Sequence, residues 1–356
     1  MTSVVRAATG KLIRTALVGL GWVGANRHLP QILRNPDFQL VGVVDRRPGR
    51  AREFAAGRPE VRAVEASDLS GIAWISDVDA VIVSTAPTAH HNLVLAALAQ
   101  GKHVLVEKPL AMTVADGDSM VAAARDAGRI LAVVHNFQFS AAMRALLSDV
   151  ESGRLGKVRS VAGVQLGNPS RRLPTWYDDL PLGLFYDESP HLLYLLDRLA
   201  GGSLDVRHVA SIPSTTSHRT PAQLHVTLFA GDDPRPFTVH CNFEAAISEW
   251  YLLVHGEHAI GIADIFRDIY LRLPNDGAHT PWPVLRTSLV ASWQHWRQVL
   301  SQGVRHVAGR MYYGNDEVYR RFADAILRDP SRIDPIGPER ARRVLRLQHE
   351  IILRSR

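Results

Sequence analysis

Gly19-Leu20-Gly21-Trp22-Val23-Gly24 reads G-x-G-x-x-G, a spacing suited to holding a diphosphate. The first glycine permits a tight turn and the second lets the backbone approach a pyrophosphate. The third lets a helix pack closely on the preceding strand. Three glycines at this spacing occur by chance in many chains, so context decides the reading. Here they follow the apolar run Thr15-Ala-Leu-Val-Gly19 and open a helical stretch from Val23 to about Arg34. Unpaired N–H groups at that helix start then face the phosphates. Asp45 ends the next apolar run, Gln39-Leu-Val-Gly-Val-Val-Asp45. A carboxylate there accepts hydrogen bonds from adenosine ribose hydroxyls and repels a 2′-phosphate. Arg46 and Arg47 follow it, and a guanidinium in that place pairs with such a phosphate. The residues favour NAD and leave NADP open.

Two further polar clusters close strand-like runs. Thr85-Ala-Pro87-Thr-Ala-His90 follows Asp79-Ala-Val-Ile-Val-Ser84, and Glu107-Lys108-Pro109 follows His103-Val-Leu-Val106. Open α/β sheets bind ligands at the carboxyl ends of their strands.

Taken in order, GxGxxG, the strand-end Asp45, T-x-P-x-x-H and Gly101-Lys102-His103-Val104-Leu-Val-Glu107-Lys108-Pro109 resemble the glucose–fructose oxidoreductase and inositol dehydrogenase family (Gfo/Idh/MocA). The resemblance covers nearly the whole chain and is weakest from about Asp264 to Tyr313. It implies a Rossmann domain followed by an open, mostly antiparallel sheet. It also implies an NAD(P)-dependent interconversion of a secondary alcohol and a ketone, on a sugar, cyclitol or nucleotide-linked sugar. The cofactor is expected on Gly19, Gly21, Trp22, Val23, Gly24, Asp45, Arg46, Thr85, Pro87, His90, Glu107 and Lys108. Lys108 is also the family's catalytic lysine, and its ammonium suits an oxygen on which negative charge develops. The Lys108–Pro109 bond, often cis in the family, is a cis candidate here.

The family's second motif, D-x-x-x-H, is matched by Asp187-Glu188-Ser189-Pro190-His191. The resemblance makes His191 the general base. Asp187 either orients the imidazole or binds a neighbouring substrate hydroxyl. A helix opening at Asp187 would tolerate Pro190 in its first turn and bring the two side chains, four apart, to one side. Three positions depart from the family pattern. Ser189 stands where a glycine is common, Tyr194 where a second aspartate is, and Gln138 where an arginine is. The Tyr194 change keeps open a reductase of a non-sugar aldehyde, imine or ketone. A non-catalytic dinucleotide-binding regulator is the remaining alternative, although it has no need of Lys108, Asp187 and His191 together.

The elements that must position these residues fall into two halves. Up to Val134, unbroken Val and Ile runs alternate with amphipathic helical stretches, the pattern of a parallel sheet covered on both faces. From Asn136 onward, six strand-like segments from Lys157–Leu166 to Ala259–Ala263 follow one another with one helix, Leu184–Leu199, among them. That order predicts a mostly antiparallel α+β domain. Helical stretches at Val284–Val307, Asp316–Arg328 and Pro338–Leu353 close the chain. The expected domains are therefore 1–135 and 136–356. Residues 168–181 form a long irregular segment before the catalytic helix, either a lid whose Trp176 or Tyr177 stacks on a sugar ring or a surface excursion. Trp293 and Trp296 fit an amphipathic packing surface.

Composition narrows the class further. A chain of 356 residues, 46% hydrophobic and 21% charged, has ample sequence for two packed cores. Its single cysteine, Cys241, excludes an intramolecular disulfide and a thiolate metal cluster, and no His, Cys and Asp group at ligand spacing suggests a metal. No apolar run approaches the roughly 18 residues of a membrane span. Met1–Gly10 lacks the apolar stretch of a secretory leader, which leads us to expect a cytoplasmic protein. The net charge of +6 reads as a solvated arginine-rich helix near Arg340–Arg356 rather than a nucleic-acid surface. An open sheet leaves a broad apolar face, so a homodimer or homotetramer through that face is expected.

Overall fold

The computed structural model describes residues 12–309 and 311–355; the Met1–Gly10 leader lies outside them. Its residues form two units. One takes the chain up to Val134 together with Asn315–Arg342, and the other takes His135–Gly314 with Arg343–Arg356. The chain passes between them after Val134. Residues 315–342, which sequence order assigns to the second half, group with the first unit. Short-range pattern reads a helix's existence but not the sheet on which it closes.

The first unit contains six strands: β1 (Ile13–Val18), β2 (Phe38–Asp45), β3 (Arg62–Glu65), β4 (Ala80–Val83), β5 (His103–Val106) and β6 (Leu131–Val133). They lie in the order β3-β2-β1-β4-β5-β6, and all pairs are parallel. This is the doubly wound arrangement of a dinucleotide-binding sheet. Every residue of β4 is buried, as expected where helices cover both faces. The helices are α1 (Leu29–Arg34), α2 (Arg50–Ala55), α3 (His90–Ala99) and α4 (Val114–Asp126). A five-residue π-helical turn, Gly24–His28, precedes α1.

The second unit opens with α5 (Ala141–Glu151), followed by β7 (Val158–Leu166), α6 (Leu184–Ala200), β8 (Asp205–Ile212), β9 (Gln223–Phe229), β10 (Phe237–Asn242), β11 (Glu249–Gly256), β12 (Ala259–Asp264), β13 (Ile269–Pro274) and α7 (Pro281–Val307). Its sheet runs β13-β12-β11-β7-β10-β9-β8. All pairs are antiparallel except β10 with β7. Strands such as β10 alternate buried and half-buried residues, the mark of a sheet with one covered and one open face. Finally, α8 (Asn315–Leu327) joins the first unit, and α9 (Pro338–Arg354) gives its first turn to the first unit and the rest to the second. Among the described residues no helix is long and apolar enough to cross a membrane.

Candidate active site

The dinucleotide turn can be tested glycine by glycine. Gly19 has φ +90°, and a Cβ there would lie 2.7 Å from the Ser84 carbonyl oxygen. A Cβ on Gly24 would lie 2.1 Å from the Gly19 oxygen, so that glycine serves the close approach of helix to strand. Gly21 differs: a Cβ there would meet nothing within 4 Å. The protein's own packing does not need Gly21, whereas a phosphate lying against the backbone would. The turn therefore fits a dinucleotide. Ser84 Oγ donates to the Gly19 oxygen at 2.6 Å and ties the turn to the end of β4. Trp22 is exposed, with the Arg27 guanidinium 5.1 Å from its ring centre, and Val23 is half-buried.

Asp45 is buried at the end of β2. Its Oδ2 accepts from the Leu20 N–H at 2.6 Å and its Oδ1 from the Arg47 N–H at 2.9 Å. The Arg47 guanidinium adds a two-point contact. Burial pushes this carboxyl up, but these hydrogen bonds and the Arg47 charge outweigh it and bring the pKa down to about 2. Of the two arginines, Arg46 is exposed, and it is Arg47 that engages the carboxylate.

Thr85, Pro87 and His90 follow β4, and Glu107 and Lys108 follow β5. His90 is fully buried, its Nδ1 2.9 Å from the Pro109 oxygen and its Nε2 3.2 Å from the Thr85 oxygen. It ties one strand-end segment to the other. Burial disfavours its charged form and lowers its pKa, although both carbonyls oppose that shift. The Lys108–Pro109 bond is cis, and Lys108 is half-buried.

Sequence reasoning missed two partners of this segment. His28, at the end of the π-helical turn, places Nε2 2.9 Å from Glu107 Oε1 and Nδ1 2.8 Å from the Tyr319 hydroxyl. Glu107 Oε2 accepts from the Lys108 N–H at 3.1 Å. Burial raises the Glu107 pKa, but the His28 hydrogen bond, with the Lys108 charge and backbone N–H, outweighs it and leaves a net lowering. Burial pushes the Tyr319 hydroxyl well up. A histidine four residues past Gly24 was the available signal for His28; Tyr319, on α8, carried none.

In the second unit α6 begins at Leu184, as the helical stretch Leu184–Leu199 predicts. Pro190 therefore lies inside the helix, not in the first turn that an opening at Asp187 would give it. A proline there cannot donate to the carbonyl four residues back, which is that of Tyr186. Gln348 of α9 supplies the missing donor: its Nε2 lies 2.7 Å from the Tyr186 oxygen and 3.0 Å from Ser189 Oγ. Asp187 and His191 follow one turn apart, both half-buried.

The orienting partner at His191 Nδ1 is Tyr194, whose hydroxyl lies 2.9 Å away. That same oxygen accepts from the Phe137 N–H at 3.0 Å. The hydroxyl can either accept from an Nδ1–H or donate to Nδ1, and only the first tautomer lets Nε2 act as a proton acceptor. Phe137 and Trp250 flank the imidazole, with ring centroids 4.7 and 5.2 Å away, and His135 stacks on Tyr194. Gln138 is buried and donates to the His135 oxygen at 2.8 Å. Glu188, another residue sequence reasoning passed over, receives Gln165 Nε2 at 2.5 Å and pairs with Arg171. This holds the 168–181 segment to α6. Within that segment Trp176 and Tyr177 are half-buried.

Comparison with known proteins agrees with this geometry. Residues 13–135 match the profile of the GFO_IDH_MocA family, described as "Oxidoreductase family, NAD-binding Rossmann fold". A 1,5-anhydro-D-fructose reductase of Ensifer adhaerens is 51% identical over 81 residues, 23% of this chain and 24% of its own length. A 1-carboxy-3-chloro-3,4-dihydroxycyclohexa-1,5-diene dehydrogenase of Comamonas testosteroni is 34% identical over 194 residues, 53% of this chain and 48% of its own. The matched stretches thus span less than half of these relatives. The WlbA dehydrogenase of Bordetella pertussis, solved with NADH and UDP-GlcNAcA, shares the fold at a TM-score of 0.76 and 20% identity, covering 98% of this chain and 96% of that one. Residues 13–135, with their glycine turn, strand-end Asp45 and Glu107-Lys108-Pro109, are thus similar to the NAD-binding Rossmann domain of the Gfo/Idh/MocA oxidoreductase family.

Proposed function

We propose that this protein is an NAD(P)-dependent dehydrogenase or reductase that interconverts a secondary alcohol and a ketone on a sugar, cyclitol or nucleotide-linked sugar. One observation carries the reading. Gly19, Asp45, Thr85 and Lys108 lie just beyond or at the carboxyl ends of β1, β2, β4 and β5, which are neighbours in one parallel sheet. That is where such sheets bind dinucleotides.

Gly21 leaves room for the pyrophosphate, and Asp45 accepts from the ribose hydroxyls, favouring NAD over NADP. The bound nicotinamide supplies the hydride chemistry. Lys108 hydrogen-bonds the reacting oxygen and favours its anionic form. His191 takes the hydroxyl proton at Nε2 as general base, held in its tautomer by Tyr194, and Asp187 binds a neighbouring substrate hydroxyl. The relatives named above act on an anhydro-sugar and a dihydroxylated ring, which supports a polyhydroxylated substrate. We further propose a cytoplasmic homodimer or homotetramer that uses the open face of the second sheet and binds neither nucleic acid nor membrane.

One feature supports a second reading, a less hydroxylated carbonyl substrate. Tyr194 is buried and engaged with protein groups, so no carboxylate at that position meets a substrate hydroxyl. The test is to titrate NADH and NADPH by fluorescence and then screen sugars, cyclitols and simple ketones for turnover. Lys108→Met and His191→Ala should abolish turnover and leave cofactor affinity nearly intact. Wild-type rates in both variants would refute the roles; cofactor binding without turnover on any substrate would favour a regulator.

A further inference from the structure

The longest helix of the second unit turns its most apolar face outward. Along α7 an apolar stripe runs from Trp282 to Val307 with steps of 3, 4, 4, 3, 4, 4 and 3 residues. Its members are all exposed, with Trp282 at 72%, Trp293 at 63% and Trp296 at 65%. The pattern repeats every eleven residues, close enough to the helical period that the stripe stays on one face of a nearly straight helix.

The helix cannot hide this face by rolling over. Its opposite side is fixed to β13, the edge strand of the sheet. Gln294 Oε1 accepts from the Arg272 N–H at 2.9 Å and its Nε2 donates to the Arg272 oxygen at 3.0 Å. Gln298 does the same for Tyr270, at 2.8 and 2.6 Å. The two amides take the place of a further strand, satisfying the edge and pointing the tryptophans away from the sheet.

The stripe is a mirror image of itself about the Gln294–His295 peptide bond. Reversal exchanges Trp293 with Trp296, Leu289 with Leu300, Leu285 with Val304 and Trp282 with Val307. A two-fold axis beside that bond would set each member against its mirror mate on a second, antiparallel copy, so that apolar side chains meet along the whole stripe. The three tryptophans alone expose roughly 400–500 Å² per copy. Two copies with their leucines and valines therefore approach the roughly 1,200–2,000 Å² of a stable interface. We infer that α7 is a self-association element: α7 of a second copy of this chain lies antiparallel on it, with the two-fold axis beside Trp293 and Trp296. This surface is separate from the open sheet face, and the inference does not depend on the catalytic reading.

Light scattering on the full-length protein at micromolar concentration tests it. The wild type should be an even-numbered oligomer. Trp293→Glu with Trp296→Glu should halve the mass while far-UV circular dichroism stays native. The register is checked separately with cysteines, since buried Cys241 does not compete. Oxidising a mixture of Leu289→Cys and Leu300→Cys chains should give disulfide-linked dimers, and either chain alone should not. Position 289 lies about 16 Å along the axis from its own copy, beyond the roughly 7 Å reach of a disulfide. A monomeric wild type would overturn the inference, whether or not the stripe then binds phosphatidylglycerol vesicles. So would an unchanged mass in the double glutamate variant, or equal cross-linking of single and mixed cysteine chains.

Discussion

Nε2 of His28 lies 2.9 Å from Oε1 of Glu107, the residue immediately before Lys108. An ionised carboxylate only accepts, so His28 donates from Nε2, and in the neutral ring Nδ1 then accepts from the Tyr319 hydroxyl. The chain Tyr319–His28–Glu107 ends on the Lys108 N–H and fixes the backbone from which the lysine projects. Glu107→Gln turns one of two acceptors into a donor and strands a buried partner, so it should cost about 1–3 kcal/mol in urea unfolding. The folded Glu107 carboxyl sits below its usual value of 4.5. Its contribution is therefore complete above about pH 4.5 and lost as pH falls through the lowered folded value. The gap between wild type and Glu107→Gln should narrow on acidification. A gap that widens would disprove the assignment.

Pro190 and Gln348 should behave as a coupled pair. Gln348→Leu strands the Tyr186 carbonyl and should destabilise by about 1–3 kcal/mol. Pro190→Ala restores an N–H for that carbonyl, so the same Gln348 substitution made in the Pro190→Ala background should cost measurably less. A double-mutant cycle by chemical denaturation reads the difference; strict additivity would show that Gln348 is not standing in for the proline.

Gly21 and Gly24 belong to one motif but should fail differently. Gly21→Ala meets no protein atom, so the melting temperature should hold while NADH affinity falls about tenfold or more, since the new methyl occupies the phosphate's place. Gly24→Ala drives a Cβ into the Gly19 carbonyl and should lower the melting temperature before any cofactor is added. Thermal shift with and without NADH separates the two.

Tyr194→Phe removes the hydroxyl shared by the Phe137 N–H and His191 Nδ1. Stability should fall by about 1 kcal/mol for the lost hydrogen bonds, and kcat should fall with little change in NADH affinity, because the imidazole loses its orienting partner. Unchanged kcat in a folded variant would remove Tyr194 from the proposed chemistry.

Asp45 should set cofactor preference over a wide pH range. Its pKa of about 2 keeps it ionised throughout ordinary assay conditions, so its contribution to NADH affinity should stay flat from about pH 5 to 8. Asp45→Ser should shift that ratio toward NADPH by releasing Arg47 from the carboxylate. Fluorescence titration of both cofactors checks it.

The sequence by itself determined the alternating parallel sheet and the glycine turn with Asp45, because each is written in a short stretch whose period and context point the same way; Lys108 and His191 were singled out by the family resemblance. The sequence missed β3 and β13, whose Arg62-Ala-Val-Glu65 and Ile269-Tyr-Leu-Arg-Leu-Pro274 stretches carry charges or a proline and no sustained apolar run. It also left open a helix opening at Asp187 with Pro190 in its first turn; the helix starts at Leu184, and a glutamine more than 150 residues away supplies the donor that Pro190 lacks. Tertiary structure alone decided that Tyr194 holds His191, that His28 and Tyr319 stand behind Glu107, and that residues 315–342 close on the first sheet. Each of these joins residues that are distant in the chain or differ from the family pattern. Local periodicity fixes which face of an element is apolar, but only the packed fold fixes which polar atom finds which partner.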